Sequence, residues 1–264
     1  MIMKQYIRVY WKLFFLNVTS LTAYRSGLIS NLISSTVWAL FPFISIFLLT
    51  ANTPVLFGWR REEVIFLSTM YAVYYGVFQM VFAKNFLRLA VLINTGEIES
   101  FFLKPIDGQF LVSVSRVGVT AFVRVIIGIG FGYFFGKQLG ISVSFIDGIL
   151  LLIALFCSLM LLYAVWMNIL LFLIWNPKLS NLVEVLFTIS GMARYPSNMY
   201  RMVNETLMYV LLPLSLTTVV PVKILFHNIS WQDYFLLGGV SIVLCGIARL
   251  FWLFAMRFYT SSSS

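Results

Sequence analysis

Charge is what this chain has least of. Acidic and basic residues make up 10% of its 264 residues, 61% are hydrophobic, and the mean hydropathy is +0.96. Soluble domains carry about 25% charged residues, and a water-soluble globule needs polar cover that this chain does not have. A soluble fold is therefore excluded, and the sequence reads as one all-α polytopic membrane domain. Cysteine is nearly as scarce: Cys157 and Cys245 both lie inside apolar runs, which points to small buried hydrophobes rather than a disulfide framework. The single histidine, His227, has no acid near it at ligand spacing, so no metal site is expected. There is no G-x-x-x-x-G-K-[ST] phosphate loop, so ATP binding in that manner is excluded. No set of nucleophile, base and orienter appears, no period of 20–50 residues repeats, and no small-residue cleavage site marks a removable signal peptide. The net charge of +9 comes from Lys and Arg at the ends of apolar runs. That pattern belongs to lipid headgroups and membrane topology, not to nucleic acid.

What is present is a series of apolar segments: Gly27–Thr50, Val64–Phe82, Phe110–Phe135, Phe145–Trp175, Leu179–Met192, Leu207–Phe226 and Tyr234–Phe258. A spanning helix needs about 20 such residues. Leu179–Met192 is short, and Leu207–Phe226 carries Pro213 and Pro221, each of which removes a backbone donor. The latter segment is expected to form a re-entrant pair of short helices, covered by protein or a watery cavity. That leaves six crossings with both termini on one side; seven remain an alternative. With the N-terminus inside, the cytoplasmic segments hold nine Lys and Arg and the outer segments six, a group that includes Arg194, a modest positive-inside bias. Before the first span, residues 1–26 place Lys4, Arg8 and Lys12 on one helical face and Ile7, Trp11, Phe14 and Val18 on another, which predicts an interfacial amphipathic helix.

Several polar or small residues sit inside apolar runs. Gly128, Gly132, Gly136 and Gly140 recur every four residues, spacing that lets helices approach within one chain or across a dimer. Arg116, Thr120 and Arg124 fall on one face of a continuous third span. A cation at mid-bilayer costs at least ~2.5 kcal/mol on insertion scales, so Arg124 needs a partner. Glu184 is the candidate, either as a structural ion pair or as part of a polar pathway wall. Arg249, in the last span, has no obvious partner in sequence.

The sharpest break in the apolar pattern is "NTGEIESFFLKPIDGQF", Asn94–Phe110. Asn94, Thr95 and Gly96 read as a turn, Glu97 and Glu99 suit a helix N-terminus, and Lys104-Pro105 stops the element. From physics alone this is either a solvated loop or a short docking helix. Together with "GWRREEV" (Gly58–Val64), "ARYPSNMYR" (Ala193–Arg201) and "LPLSLTTVVPVKIL" (Leu212–Leu225), the segment resembles the type-2 ABC exporter permeases. The likeness is to the subfamily with a Gly-Glu-Leu-Asp…Leu-Arg-Pro signature; here Ile98, Glu99 and Lys104 replace Leu, Asp and Arg.

The resemblance implies a permease half of six spans that dimerises with a second permease, the same chain or a paralogue. Each half would bind a cytoplasmic ABC ATPase, which holds the ATP and Mg; this chain binds no cofactor. It also implies a coupling helix around residues 94–105, including Gly96, Glu97, Ile98, Glu99, Leu103, Lys104 and Pro105, and re-entrant helices around residues 196–226, including Pro196, Pro213 and Pro221 just after Tyr195. The substrate is expected to be an amphiphile moved across a bacterial cytoplasmic membrane. A secondary transporter without ATPase would show an internal repeat, and an intramembrane lipid-processing enzyme would show a catalytic constellation; the sequence has neither.

Overall fold

The computed structural model describes residues 2–23, 25–51, 55–56, 58–179, 181–195, 205–228 and 230–259. Pro196 and the rest of the polar stretch 196–204 lie outside the described residues. The chain begins with α1 (Ile2–Ala23) and α2 (Arg25–Leu49), then a two-stranded antiparallel hairpin of β1 (Val55–Leu56) and β2 (Trp59–Arg60). Next come α3 (Arg61–Phe78), a π-helical turn at Gln79–Ala83, and α4 (Lys84–Thr95). The short helices α5 (Glu99–Phe102) and α6 (Gly108–Val114) precede α7 (Phe122–Gln138). α8 (Phe145–Leu170), α9 (Leu182–Met192), α10 (Glu205–Leu225) and α11 (Trp231–Phe258) complete the chain. Among the described residues, five helical runs are long and apolar enough to cross a membrane: Gly27–Leu49, Arg61–Thr95, Val119–Gln138, Phe145–Ile174 and Trp231–Phe258. The protein is thus an all-α polytopic membrane protein carrying one small hairpin.

Arg61–Thr95 organises the rest. It is the only one of the five runs that is mostly buried, and its Phe78, Phe86 and Leu89 are fully enclosed together with Trp166 of α8. α7 runs antiparallel along it at a distance only glycine permits. A Cβ at Gly128 would meet Val73 at 3.0 Å and Ala72 at 3.1 Å, and one at Gly76 would meet Val125 at 2.8 Å. Gly132 and Gly136 face Thr69 and Phe66 in the same seam. Gly128, Gly132 and Gly136 therefore serve packing within the chain, while Gly130 and, beyond the end of α7, Gly140 look onto open space.

These contacts define two ends. At the hairpin end, Phe66 meets Phe226 edge-on and the α7–α8 connection lies near residues 225–231, where His227 Nε2 contacts the Ser142 carbonyl at 3.2 Å. At the opposite end, the elbow end, residues 96–110 lie close to α1 and to the last turns of α11: Tyr6 meets Phe110 and Arg249 reaches Asp107. Both described termini of the chain lie at the elbow end.

Two expectations for the second half change. α9 has 11 residues, about 16 Å at 1.5 Å per residue, half the hydrocarbon thickness, so it does not cross alone. α10 is one helix of 21 residues through both Pro213 and Pro221, not a pair broken between them. The reason is local. Pro221 deprives the Thr217 carbonyl of its helical donor, and the Ser158 hydroxyl of α8 supplies a substitute at 3.0 Å. Thr217 itself bonds the Tyr74 hydroxyl at 2.7 Å, and Thr218 bonds the Ala193 carbonyl at 2.8 Å. α10 is thereby pinned between α3 and α8. The chain enters this region at Leu182 beside the elbow end and leaves it at Leu225 beside the hairpin end.

In α1, the face against the body is Tyr6, Val9, Tyr10, Leu13 and Asn17, while Ile7 and Trp11, of the stripe expected to face the interface, are exposed. Asn17 Nδ2 donates to the Ser115 carbonyl at 3.1 Å, which fixes the helix against α6.

The seam gives a direct test. Gly128→Leu should destabilise the protein by about 1–3 kcal/mol through overpacking, read as a lowered unfolding temperature in detergent. Gly130→Leu, two residues away on the open side, should leave it unchanged. Equal effects at both positions would contradict the α3–α7 seam.

Candidate functional site

Gly96 ends α4 in the left-handed conformation, φ 78°, which glycine adopts at little cost. The chain then folds back, with the Ile98 N–H bonding the Leu92 carbonyl at 3.3 Å. The apolar residues of this elbow divide between two directions. Ile98 is fully buried and Phe101 is 3% exposed, so both anchor the turn in the core, while Phe102 is 43% and Leu103 87% exposed. Glu97, Glu99, Lys104 and Pro105 are also exposed. Lys104 and Arg88 sit over the Phe101 ring, 4.6 and 5.6 Å from its centroid. The result is an acidic-edged turn with an apolar knob at its tip and two internal anchors beneath. The anticipated docking helix shrinks to the four residues of α5.

A polar network ties this elbow to the last helix. Asp107 caps α6 by accepting from the Phe110 N–H at 3.0 Å, and Arg249 Nη2 donates to it at 2.7 Å. Arg249 Nη1 donates to Gln109 Oε1 at 2.9 Å, Gln109 Nε2 donates to the Tyr163 hydroxyl at 3.2 Å, and that hydroxyl lies 3.0 Å from Ser113 Oγ. Arg249 thus has partners that sequence did not offer. The signal was present, since Asp107 three residues before Phe110 is an N-cap spacing, but its distance of 142 residues from Arg249 hid the pair. Burial raises the Asp107 pKa, yet the hydrogen bonds from Arg249, Phe110 and Gln109 outweigh it and hold the carboxyl below its ordinary range. At the end of α11, the Tyr259 hydroxyl is buried without a hydrogen-bond partner among the described residues, and burial first, then the charge of Glu99, raise its pKa.

The third apolar segment is not one helix. It breaks at residues 115–118 between α6 and the 3-10 turn Val119–Ala121. Asn85, 1% exposed, closes the break with one side chain. Its Nδ2 donates to the Arg116 carbonyl at 2.7 Å, and its Oδ1 accepts from the Arg116 N–H at 2.8 Å and from Ser115 Oγ at 3.1 Å. The Gly118 N–H meets the Met80 carbonyl, inside the π turn, at 2.7 Å. A Cβ at Gly118 would lie 2.7 Å from the Gln79 carbonyl oxygen, so the approach requires glycine. The break means that Arg116, Thr120 and Arg124 do not share a helical face. Arg116 is exposed at the elbow end, whereas Arg124 lies in α7. A π turn inside a long helix often marks a functional position.

Arg124 does not pair with Glu184, which is exposed on α9. Pro42, inside α2, deprives the Trp38 carbonyl of its helical donor, and Arg124 Nη2 points to that carbonyl at 3.4 Å. Its guanidinium also sits over the Tyr75 ring, 5.5 Å from the centroid. Arg194, assigned to the outer side by charge counting, lies in the same cavity as Arg124, against Tyr195 at 5.3 Å. Pro213 and Pro221 are part of α10 and not of this cavity.

The family described as "ABC-2 family transporter protein" matches residues 36–263. Neither the curated proteins nor the solved structures gave a match. The chain belongs to the ABC-2 transporter family, as a permease.

The Asp107–Arg249 tether is testable by a double-mutant cycle. Asp107→Asn and Arg249→Leu should each destabilise, with a coupling of about 0.5–1.5 kcal/mol for this half-exposed pair. Because the folded carboxyl pKa is depressed, the coupling should be complete above pH about 4 and fade as pH falls through the folded value. Additive effects at pH 7 would show that the contact carries no energy.

Proposed function

We propose that this permease is the membrane half of an ATP-driven exporter, with the elbow Gly96–Pro105 taking force from a separate ABC ATPase. One observation carries the reading: Leu103 is 87% exposed on a turn whose neighbours Ile98 and Phe101 are locked in the core. A knob of that kind is seated in a partner's groove while its base remains rigid. Glu97 and Glu99 border it and Pro105 limits it. ABC-2 permeases generally work with an ABC ATPase, which on this reading holds the ATP and Mg; the present chain has no phosphate loop of its own.

Force at the elbow passes along two routes. Arg249, bonded to Asp107 and Gln109, carries it to α11. Asn85, bonded across residues 115–116, carries it to α7. A packed bundle transmits such motion as rigid-body shifts of helices.

The elbow end faces the cytoplasm, in keeping with Lys84, Arg88, Lys104 and Arg116 gathered there. Both termini are then cytoplasmic. The chain makes six crossings, the fifth composed of α9 together with α10, in a bacterial inner membrane. α1 lies in the interface with Ile7 and Trp11 toward lipid. Two permeases, the same chain or a paralogue, face each other around the pathway, and the substrate is an amphiphile. The family match favours this over a secondary transporter or a lipid-processing enzyme.

Reversing both Glu97→Lys and Glu99→Lys, or placing Leu103→Asp at the tip, should weaken co-purification of the cognate ATPase by about tenfold or more, with the permease's own unfolding temperature unchanged. Full recovery of the ATPase with all three changes present would exclude the elbow as its docking point.

A further inference from the structure

The cavity that holds Arg124 and Arg194 has a volume of about 460 Å³ and opens between α2 and α9. Two cations share it. Among the described residues no acid lines it and neither arginine is in an ion pair. Among the described residues, the Arg194 Nε is buried without a hydrogen-bond partner, and Arg124 makes one long 3.4 Å bond, to a backbone carbonyl. Both guanidinium groups line the same cavity. In a low-dielectric setting, paired like charges with unfilled donors are costly unless an anion joins them.

The remaining lining fits such an anion. Asn31, Ser34, Ser35 and Gln79 add neutral hydrogen-bonding groups around the two forks. Guanidinium matches the oxygens of phosphate or carboxylate in paired hydrogen bonds. Beside them Trp38, Pro42 and Phe187 form an apolar wall. Outside the cavity α2 continues as an exposed apolar surface, with Ile33, Val37 and Phe41 between 51 and 60% exposed. Polar groups from α2, α3 and α7 line the cavity, and an apolar track runs beside it along α2.

We propose that this groove binds the anionic headgroup of a membrane amphiphile, with Arg124 and Arg194 holding the phosphate or carboxylate and the acyl chain lying along α2. The site is on the elbow side of α7: Arg124 is five residues into the run that begins at Val119, about 8 Å along a helix. Only the ligand's role as cargo rests on the permease reading; its binding does not.

The test uses the purified full-length chain in a neutral detergent, without an ATPase, so its failure leaves the docking of the elbow untouched. Tryptophan fluorescence is titrated with dodecyl phosphate, with a neutral dodecyl glycoside, and with inorganic phosphate, in wild type and in Trp38→Phe. Dodecyl phosphate should give a saturable change that Trp38→Phe abolishes. It should bind at least about tenfold more tightly than the glycoside, since a charge-assisted contact is worth roughly a factor of ten or more, and at least about tenfold more tightly than inorganic phosphate, which has no chain to bury along α2. Arg124→Gln and Arg194→Gln should each lose about tenfold, and the Lys variants should keep part of the preference. Equal binding of the phosphate and glycoside amphiphiles would overturn the proposal, as would an unchanged preference in the double Gln variant. Inorganic phosphate binding as tightly as dodecyl phosphate would overturn the amphiphile and leave a free-anion site. If the Gln variants do not fold, the comparison of ligands in wild type and Trp38→Phe decides alone.

Discussion

A helix of 35 residues is about 52 Å long, and the hydrocarbon it crosses is about 30 Å thick. Arg61–Thr95 must therefore project from the membrane, and in this protein it does so while buried against its own chain. Its aromatic ladder of Tyr71, Tyr75, Phe78, Phe82 and Phe86 stacks ring to ring and meets Trp166. α7 closes on it through glycines, α10 through the Thr217–Tyr74 bond, and α6 through Asn85. Whatever displaces the projecting end is felt by all of them. The elbow at Gly96 is the end of that rod, which is why a turn of ten residues is able to matter to a bundle of membrane helices.

A second theme is the satisfaction of backbone groups where helices are interrupted. Hydrocarbon offers no water to an orphaned carbonyl, and four interruptions here have a named side chain or amide to answer them. Ser158 answers Pro221, Arg124 answers Pro42, Asn85 spans the gap after α6, and Gly118 meets the π turn at Met80. These are the residues that let a membrane helix be broken without unravelling. The Ser158 bond also explains why Pro221 did not divide α10.

The elbow was legible in the sequence because local chemistry specifies it: a glycine for the turn, acids at the start, a proline at the stop, and apolar residues on both sides. The membrane class followed from composition. What sequence missed depended on distance in the chain. Charge logic alone paired Arg124 with Glu184, when the true partner is a carbonyl exposed by a proline 82 residues earlier. The common face of Arg116 and Arg124 assumed an unbroken helix; Gly118 is the one local mark of the break, and the asparagine that closes it lies 30 residues earlier. Apolar length counted α9 as a span although its described helix covers half the needed thickness. The partition of Ile98 and Phe101 inward from Phe102 and Leu103 outward also needed the fold, because a four-residue helix has too little period to read.

The account stands on the elbow emerging at the cytoplasmic face with its tip free. Leu103→Cys in a background lacking Cys157 and Cys245, treated with a membrane-impermeant maleimide in sealed vesicles of both orientations, tests this directly. Labelling is expected in inverted vesicles only, and bound ATPase should block it. Labelling from the outer face, or none in either orientation, would contradict the account.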